Sequence, residues 1–67
     1  MMIYKDFKLS NIMMINNKYE AVVENSNEYL IVKANNLEDM KEEFHNCIDN
    51  YLKKCKELGK KPYITIK

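Results

Sequence analysis

The segment from residue 36 to residue 59, NLEDMKEEFHNCIDNYLKKCKELG, decides the fold. Its apolar residues recur at spacings of three and four, which is the stripe of an amphipathic helix. We expect this helix to pack its apolar face into the core of the domain. The predicted structural core residues are Leu37, Met40, Phe44, Ile48, Tyr51 and Leu52.

Both ends of this helix carry recognisable signals. Asn36 is a good N-cap, and Asp39 three residues later completes an approximate capping box. Gly59 is the residue at which we expect the helix to stop. Acidic residues fill the first turns and lysines fill the last, which suits the helix dipole. The lysine-rich end is therefore explained without a nucleic-acid partner.

The residues before the helix have the composition of β-strands. Residues 3–9 and 12–15 are rich in β-branched, aromatic and long apolar residues, and we expect them to form a strand that enters a hairpin. Asn16-Asn17 supplies a two-residue turn that tolerates positive φ. Residues 19–24 are the expected return strand and residues 28–33 a third strand, so that this region forms an antiparallel meander.

After the helix, Pro62 introduces a short alternating segment, residues 63–66, that predicts a closing strand. The prediction is therefore an α+β fold of the order β-β-β-α-β, with residues 1–67 forming one domain. If the last strand lies parallel to the first, the right-handed crossover places the helix on one face of the sheet. The other face is then left for a partner.

Composition supports a folded domain of small size. The chain has 67 residues, of which 46% are apolar and 31% charged, with a single Gly and a single Pro. A domain this short buries only about 60% of the surface that its unfolded chain exposes. We therefore expect a tight protein partner or a homo-oligomer to add to its stability.

The charge pattern bears on the class of partner. The formal net charge is +1, and all 11 basic residues are lysines. The chain therefore lacks the guanidinium fork that reads guanine edges and phosphates. We expect no direct sequence-specific DNA binding.

The cysteines and the hydropathy bear on the compartment. Cys47 and Cys55 lie eight residues apart in the predicted helix, about 12 Å at 1.5 Å per residue, which is too far for a mutual disulfide. Reduced thiols of this kind are typical of a cytoplasmic protein. No stretch approaches the ~20 apolar residues of a membrane span. We expect a soluble cytoplasmic protein.

The helix closely resembles that of the HicB antitoxins. In that family an Asn or hydroxyl cap and paired acids precede F-H-x-x-[IV]-D-x-Y-L, and a Cys one turn later and G-x-x-P follow. Residues 36–62 have this pattern throughout. Residues 4–7, YKDF, look like the family's opening YKGY, and residues 19–23 look like its F-x-G-x-V strand. The resemblance covers nearly the whole chain.

This resemblance implies a small sheet-and-helix fold likened to a pared-down ribonuclease H. Members of the family neutralise a small HicA-like ribonuclease toxin by covering its active surface. Most also carry a C-terminal DNA-binding domain, which residues 1–67 do not match. Asp6, Ala21 and Ala34 stand where the family usually has glycines, and the acidic first hairpin is shortened to Asn16-Asn17.

Catalysis is not expected from these residues. A ribonuclease H-like metal site needs carboxylates from the first strand, the helix and the last strand. Asp6 is near the first strand, but residues 63–67 contain no acid. His45 stands one turn from both Glu42 and Asp49, and such a histidine is usually a solvated hydrogen-bonding residue. We expect no enzyme activity, no metal site and no cofactor.

The strands contain more large apolar groups than one sheet face and one helix can cover, and Ile31 is among those that we expect to be exposed or at an edge. Exposed Tyr, Phe and Met are common interface anchors. The predicted partner-binding residues are Tyr4, Phe7, Met13, Met14, Tyr19 and Tyr29. Alternatively, these residues bury a homodimer by edge pairing or face stacking.

Three functions are compatible with these observations. The first is a HicB-like protein inhibitor that blocks a small ribonuclease toxin by steric occlusion. The second is a mobile-element protein, as of a phage, that inhibits a CRISPR effector or another defence nuclease. The third is a small-ligand-binding homo-oligomer or a residual nuclease.

Overall fold

The computed structural model describes residues 2–62 of the chain, which form four strands and one helix. The strands are β1 (Met2–Tyr4), β2 (Phe7–Ile15), β3 (Lys18–Val23) and β4 (Ile31–Ala34), and the helix is α1 (Leu37–Leu58). The strands form one antiparallel sheet in the order β1-β2-β3-β4. Because α1 contacts both β1 and β4, the sheet curls around the helix. The predicted α+β class is confirmed.

The prediction of a single strand over residues 3–9 is wrong. Lys5 and Asp6 have φ values of 48° and 69°, so a left-handed two-residue turn separates β1 from β2. The Tyr4–Phe7 pair closes this hairpin. Four strands, rather than three, therefore precede the helix. The predicted closing strand over residues 63–66 lies outside the described residues.

The second hairpin has the turn that the sequence predicts. Asn16 and Asn17 have φ values of 51° and 64°, and Ile15 pairs with Lys18 across the turn. Asn11, at φ 54°, lies in a bulge where the β2–β3 register shifts between Ser10 and Met13. Asparagine adopts this left-handed conformation more readily than most residues because its short polar side chain bonds locally.

The core lies between α1 and the concave face of the sheet. Alternate strand residues point toward the helix, and helix residues at spacings of three and four point back. Its buried residues are Phe7, Leu9, Ala21, Val23, Val32, Ala34, Met40, Phe44, Ile48, Tyr51 and Cys55. The prediction of Met40, Phe44, Ile48 and Tyr51 as core is confirmed.

Two predicted core residues differ from that expectation. Leu52 is only partly buried at the margin of the core. Leu37 is 50% exposed, so its assignment to the core is wrong. Leu58, at the other end of the helix, is exposed as well. The apolar stripe of α1 is therefore longer than the sheet that covers it.

Both helix ends have the predicted caps. The side chain of Asn36 accepts a hydrogen bond of 2.8 Å from the backbone N–H of Asp39. At the other end Gly59 has φ 66°, and Lys60 donates its N–H to the carbonyl of Cys55 at 2.9 Å. These bonds satisfy backbone groups that the ends of a helix otherwise leave unpaired.

The hydroxyl of Tyr51 connects the helix to two other segments. It donates to the carbonyl of Pro62 at 2.9 Å and accepts from the backbone N–H of Asn27 at 3.1 Å. The side-chain amide of Asn27 donates a further hydrogen bond to the carbonyl of Lys61 at 3.1 Å. The segment after the helix is thereby held beside the loop that follows β3.

Substitution of Phe7 by Ala tests its assignment to the core. Because Phe7 is fully buried, we expect the free energy of unfolding to fall by about 3–5 kcal/mol. Met13→Ala, at a side chain 56% exposed, is the control and is expected to change it by about 0.5 kcal/mol or less. Urea unfolding followed by circular dichroism measures both. Equal effects would contradict the burial of Phe7.

Candidate protein-binding face

The face of the sheet opposite α1 carries exposed apolar side chains. Successive residues of a strand point to opposite faces, so the neighbours of the buried residues point away from the helix. Ile3 lies between Met2 and Tyr4, which pack on the core, and Ile31 precedes the buried Val32. Met13, paired with Glu20, and Ile15, paired with Lys18, continue this side of the sheet beyond the bulge.

We call the set Ile3, Met13, Ile15 and Ile31 the outer face. Their exposed fractions are 63%, 56%, 39% and 42%. The half-buried Val22 lies between Ser10 and Ile31 in the pairing register. The neighbouring positions of the register hold charged residues, with Lys8 beside Ile3, Glu20 beside Met13 and Lys18 beside Ile15. Protein-binding surfaces likewise combine exposed apolar side chains with charged ones.

Tyr29 extends the outer face at one end. It is 77% exposed and lies in the loop before β4. Together with Ser10 and Val22 it lines an open groove, which places its ring beside the outer face. A large exposed aromatic side chain next to an apolar surface is a common anchor for a protein partner.

The predicted partner-binding residues fall into three groups. Met13, Met14 and Tyr29 are exposed, and their role in binding stays a prediction. Tyr4 and Tyr19 are half-buried and pack against the core. Phe7 has no exposed surface, so its assignment to a contact surface is wrong. It points to the helix because the turn at Lys5 and Asp6 reverses the chain directly before it.

Sequence reasoning missed Ile3 and Ile15 as members of the outer face. Both are β-branched residues that suit either face of a sheet. Ile3 is recognisable only after the β1–β2 turn is placed, because that turn makes Met2 and Tyr4 the inward pair. Ile15 is recognisable from its position directly before the Asn16-Asn17 turn, where a hairpin extends beyond the core.

A polar cluster ties the β1–β2 turn to α1. The Tyr4 hydroxyl donates to Asp49 at 3.0 and 3.1 Å, and Lys5 Nζ donates to Asp49 Oδ1 at 2.8 Å. The Tyr4 ring stacks on the His45 ring with centroids 3.9 Å apart and planes 17° apart. We call Tyr4, Lys5, His45 and Asp49 the turn clamp.

The electrostatics of the turn clamp favour its ionised form. The hydrogen bond from Lys5 lowers the pKa of Asp49, and the hydrogen bond to Asp49 raises the pKa of Lys5. An exposed ion pair of this kind is worth little by itself, and salt screens it. Because Asp49 already accepts hydrogen bonds from two side chains, its geometry suits an anchor for the turn rather than a general base.

Neither cysteine has the environment of a reactive thiol. Cys55 is buried and Cys47 is half-buried, and both are free. Burial and the nearby Glu43 raise the pKa of Cys47. A thiol with a raised pKa carries little thiolate at neutral pH and is a poor nucleophile.

The described part of the chain contains neither a metal-binding cluster nor a membrane-spanning helix. Across residues 2–62, no three His, Cys, Asp or Glu side chains lie together so as to hold a metal ion. Within the same residues, no helix has the length and hydropathy needed to cross a membrane.

Comparison with protein-family models, with curated proteins and with solved structures gave no match to this chain. The likeness to the HicB family rests on the helix motif and on the two strand motifs.

The turn clamp predicts a dependence of stability on pH. We expect Asp49→Asn to be less stable than the unchanged chain at neutral pH, because Lys5 and Tyr4 lose a charged acceptor. The pKa of Asp49 is lowered from 3.8, so its contribution is present above that value and disappears as pH falls through the lower, folded pKa. The pKa of Lys5 is raised from 10.5, so its contribution is lost as pH rises above that value.

Thermal unfolding of both chains from acidic to alkaline pH measures this difference. Glu57→Gln removes an exposed carboxylate from another part of the same helix and is the control. A difference between the chain and Asp49→Asn that persists unchanged at pH values well below 3.8 would contradict the ion pair.

Proposed function

We propose that this domain is a non-catalytic protein inhibitor that binds its partner through the outer face. The observation that carries the proposal is the exposure of four large apolar side chains on the face that α1 leaves uncovered. Large apolar groups exposed on one face of a sheet often mark a protein-binding site. The partner that the HicB resemblance favours is a small HicA-like ribonuclease toxin.

The positions of the shared motif residues support this division of roles. Phe44, Ile48 and Tyr51 of the helix motif lie in the core. His45 and Asp49, from the same motif, hold the β1–β2 turn through Tyr4 and Lys5. The motif thus accounts for packing and for the placement of a hairpin. Binding is left to the strands, on the side away from the helix.

The size of the domain supports inhibition by steric occlusion. The domain extends over 37 × 25 × 18 Å, which is broad enough to cover the active surface of a protein of similar mass. A standard protein interface needs roughly 800 Å² from each partner. The outer face with Tyr29 at its end supplies apolar contacts for such an interface, and the lysines and Glu20 interspersed among them supply polar ones.

Inhibition of ribonuclease activity tests the proposal. Purified domain is titrated into HicA-type ribonucleases, including any encoded beside its own gene, and RNA cleavage is measured together with co-elution on size exclusion. We expect stoichiometric loss of cleavage. Ile31→Lys is expected to raise Kd by about tenfold or more, since it places a charge within the apolar contact.

Leu58→Lys is the matched control for Ile31→Lys. It also replaces an exposed aliphatic residue by lysine, but it lies at the end of α1, away from the outer face. Its Kd is expected to equal that of the unchanged chain. Equal loss in both variants would remove the outer face as the binding site. No inhibition of any such ribonuclease would overturn the choice of partner.

A further inference from the structure

The two strands of the first hairpin differ greatly in length. β1 covers β2 only from Phe7, paired with Tyr4, to Leu9, paired with Met2. The rest of β2, Ser10 to Ile15, pairs with β3 on one side. No strand among residues 2–62 pairs with its other side. We call this open side of residues 10–15 the free edge.

The free edge has little of the usual protection against pairing. Natural edge strands carry charges or proline that discourage association with another strand. Residues 9–17 contain no charged residue and no proline. Ile12, Met13, Met14 and Ile15 are exposed by 37%, 56%, 60% and 39%. The bulge at Asn11 and Ile12 disturbs the start of the free edge but leaves Met13, Met14 and Ile15 in regular pairing with β3.

The backbone at Met14 is oriented for pairing with another strand. Ile15 and Lys18 close the two-residue turn, so their backbone groups bond to each other across the hairpin. In an antiparallel ladder the backbone N–H and C=O of successive residues point alternately to the two sides. Met14 therefore directs its N–H and C=O away from β3, to the free edge.

A second copy of the chain matches this edge. When two copies of β2 run antiparallel about a twofold axis at Met14, the two Met14 residues exchange backbone hydrogen bonds. Met13 of one copy then lies opposite Ile15 of the other. Every pair between residues 12 and 16 is uncharged, so no like charges meet. Closed twofold association of this kind buries the same surface on both copies.

We propose that the free edge of β2 pairs with the free edge of a second copy, centred on Met14. The product is one continuous sheet built from two domains, with both helices on one side. Both outer faces lie on the other side and are joined by the two Met13–Ile15 contacts. This homodimer goes beyond the proposed function, since it is formed by backbone groups of the free edge, and of the outer face only Met13 and Ile15 take part in it.

Sedimentation velocity over a concentration series is the first test. We expect the unchanged chain to show a monomer–dimer equilibrium. Met14→Lys is expected to raise the dimer Kd by about tenfold or more, because it places two lysines at the twofold axis. Tyr29→Lys, at an exposed residue outside the free edge, is the control and is expected to leave the dimer unchanged.

A covalent test reads the register directly. A hydrogen-bonded antiparallel pair has Cα atoms about 5.5 Å apart, which lies within the range that a disulfide spans. Met14→Cys is therefore expected to form a disulfide-linked dimer under mild oxidation, seen on a non-reducing gel. Tyr29→Cys is the control. The unchanged chain, oxidised in the same way, shows whether Cys47 or Cys55 forms disulfides between copies.

The outcomes separate the two proposals. A chain that remains monomeric at every concentration, or Met14→Lys that dimerises as well as the unchanged chain, would overturn the dimer. Equal cross-linking of Met14→Cys and Tyr29→Cys would do the same. Ile31→Lys is expected to dimerise normally while losing the ribonuclease, so that a failure of either proposal is recognised independently of the other.

Discussion

The rest of the structure depends on the contact between the apolar stripe of α1 and the concave face of the sheet. Phe7 and Phe44 are fully buried there, and the Phe7 ring meets Tyr51 edge to face with centroids 6.0 Å apart. Burial of a side chain of this size contributes about 1.5–3 kcal/mol. In a chain of this length no other cluster of the described residues can replace that contribution. The curl of the sheet is the geometry that lets one helix cover strands at both edges.

Polar contacts from the middle and second half of the helix then position the turn and loops that the core does not hold. The turn clamp fixes the β1–β2 turn near the middle of α1 through Asp49 and His45. The Tyr51 hydroxyl fixes the loop after β3 and the carbonyl of Pro62. Each contact joins segments far apart in sequence. The helix therefore serves as the frame against which the loops are placed, while the opposite side of the sheet stays open.

The sequence predicts the elements whose signals are local. The helix, its Asn36 and Gly59 caps and the Asn16-Asn17 turn follow from spacing and from residue type. The turn at Lys5 and Asp6 was missed because lysine rarely adopts positive φ and because strand-forming residues both precede and follow it. Phe7 and Leu37 were misassigned for a related reason: burial depends on which strand face meets the helix and on where the sheet ends. Ile3 and Ile15, two of the four outer-face residues, were missed as exposed contact residues. They can be placed on a face of the sheet only after the turns are known.

The left-handed turns of this chain are made without glycine. Lys5, Asp6, Asn11, Asn16 and Asn17 all have positive φ, and Gly59 is the single glycine of the chain. A residue with a Cβ is more strained than glycine in that conformation. It also restricts the unfolded chain to fewer conformations, so less conformational entropy is lost on folding. The unfolded chain is therefore already restricted at the residues that form the hairpin turns. The smaller loss of conformational entropy on folding offsets part of the strain that positive φ places on residues such as Lys5.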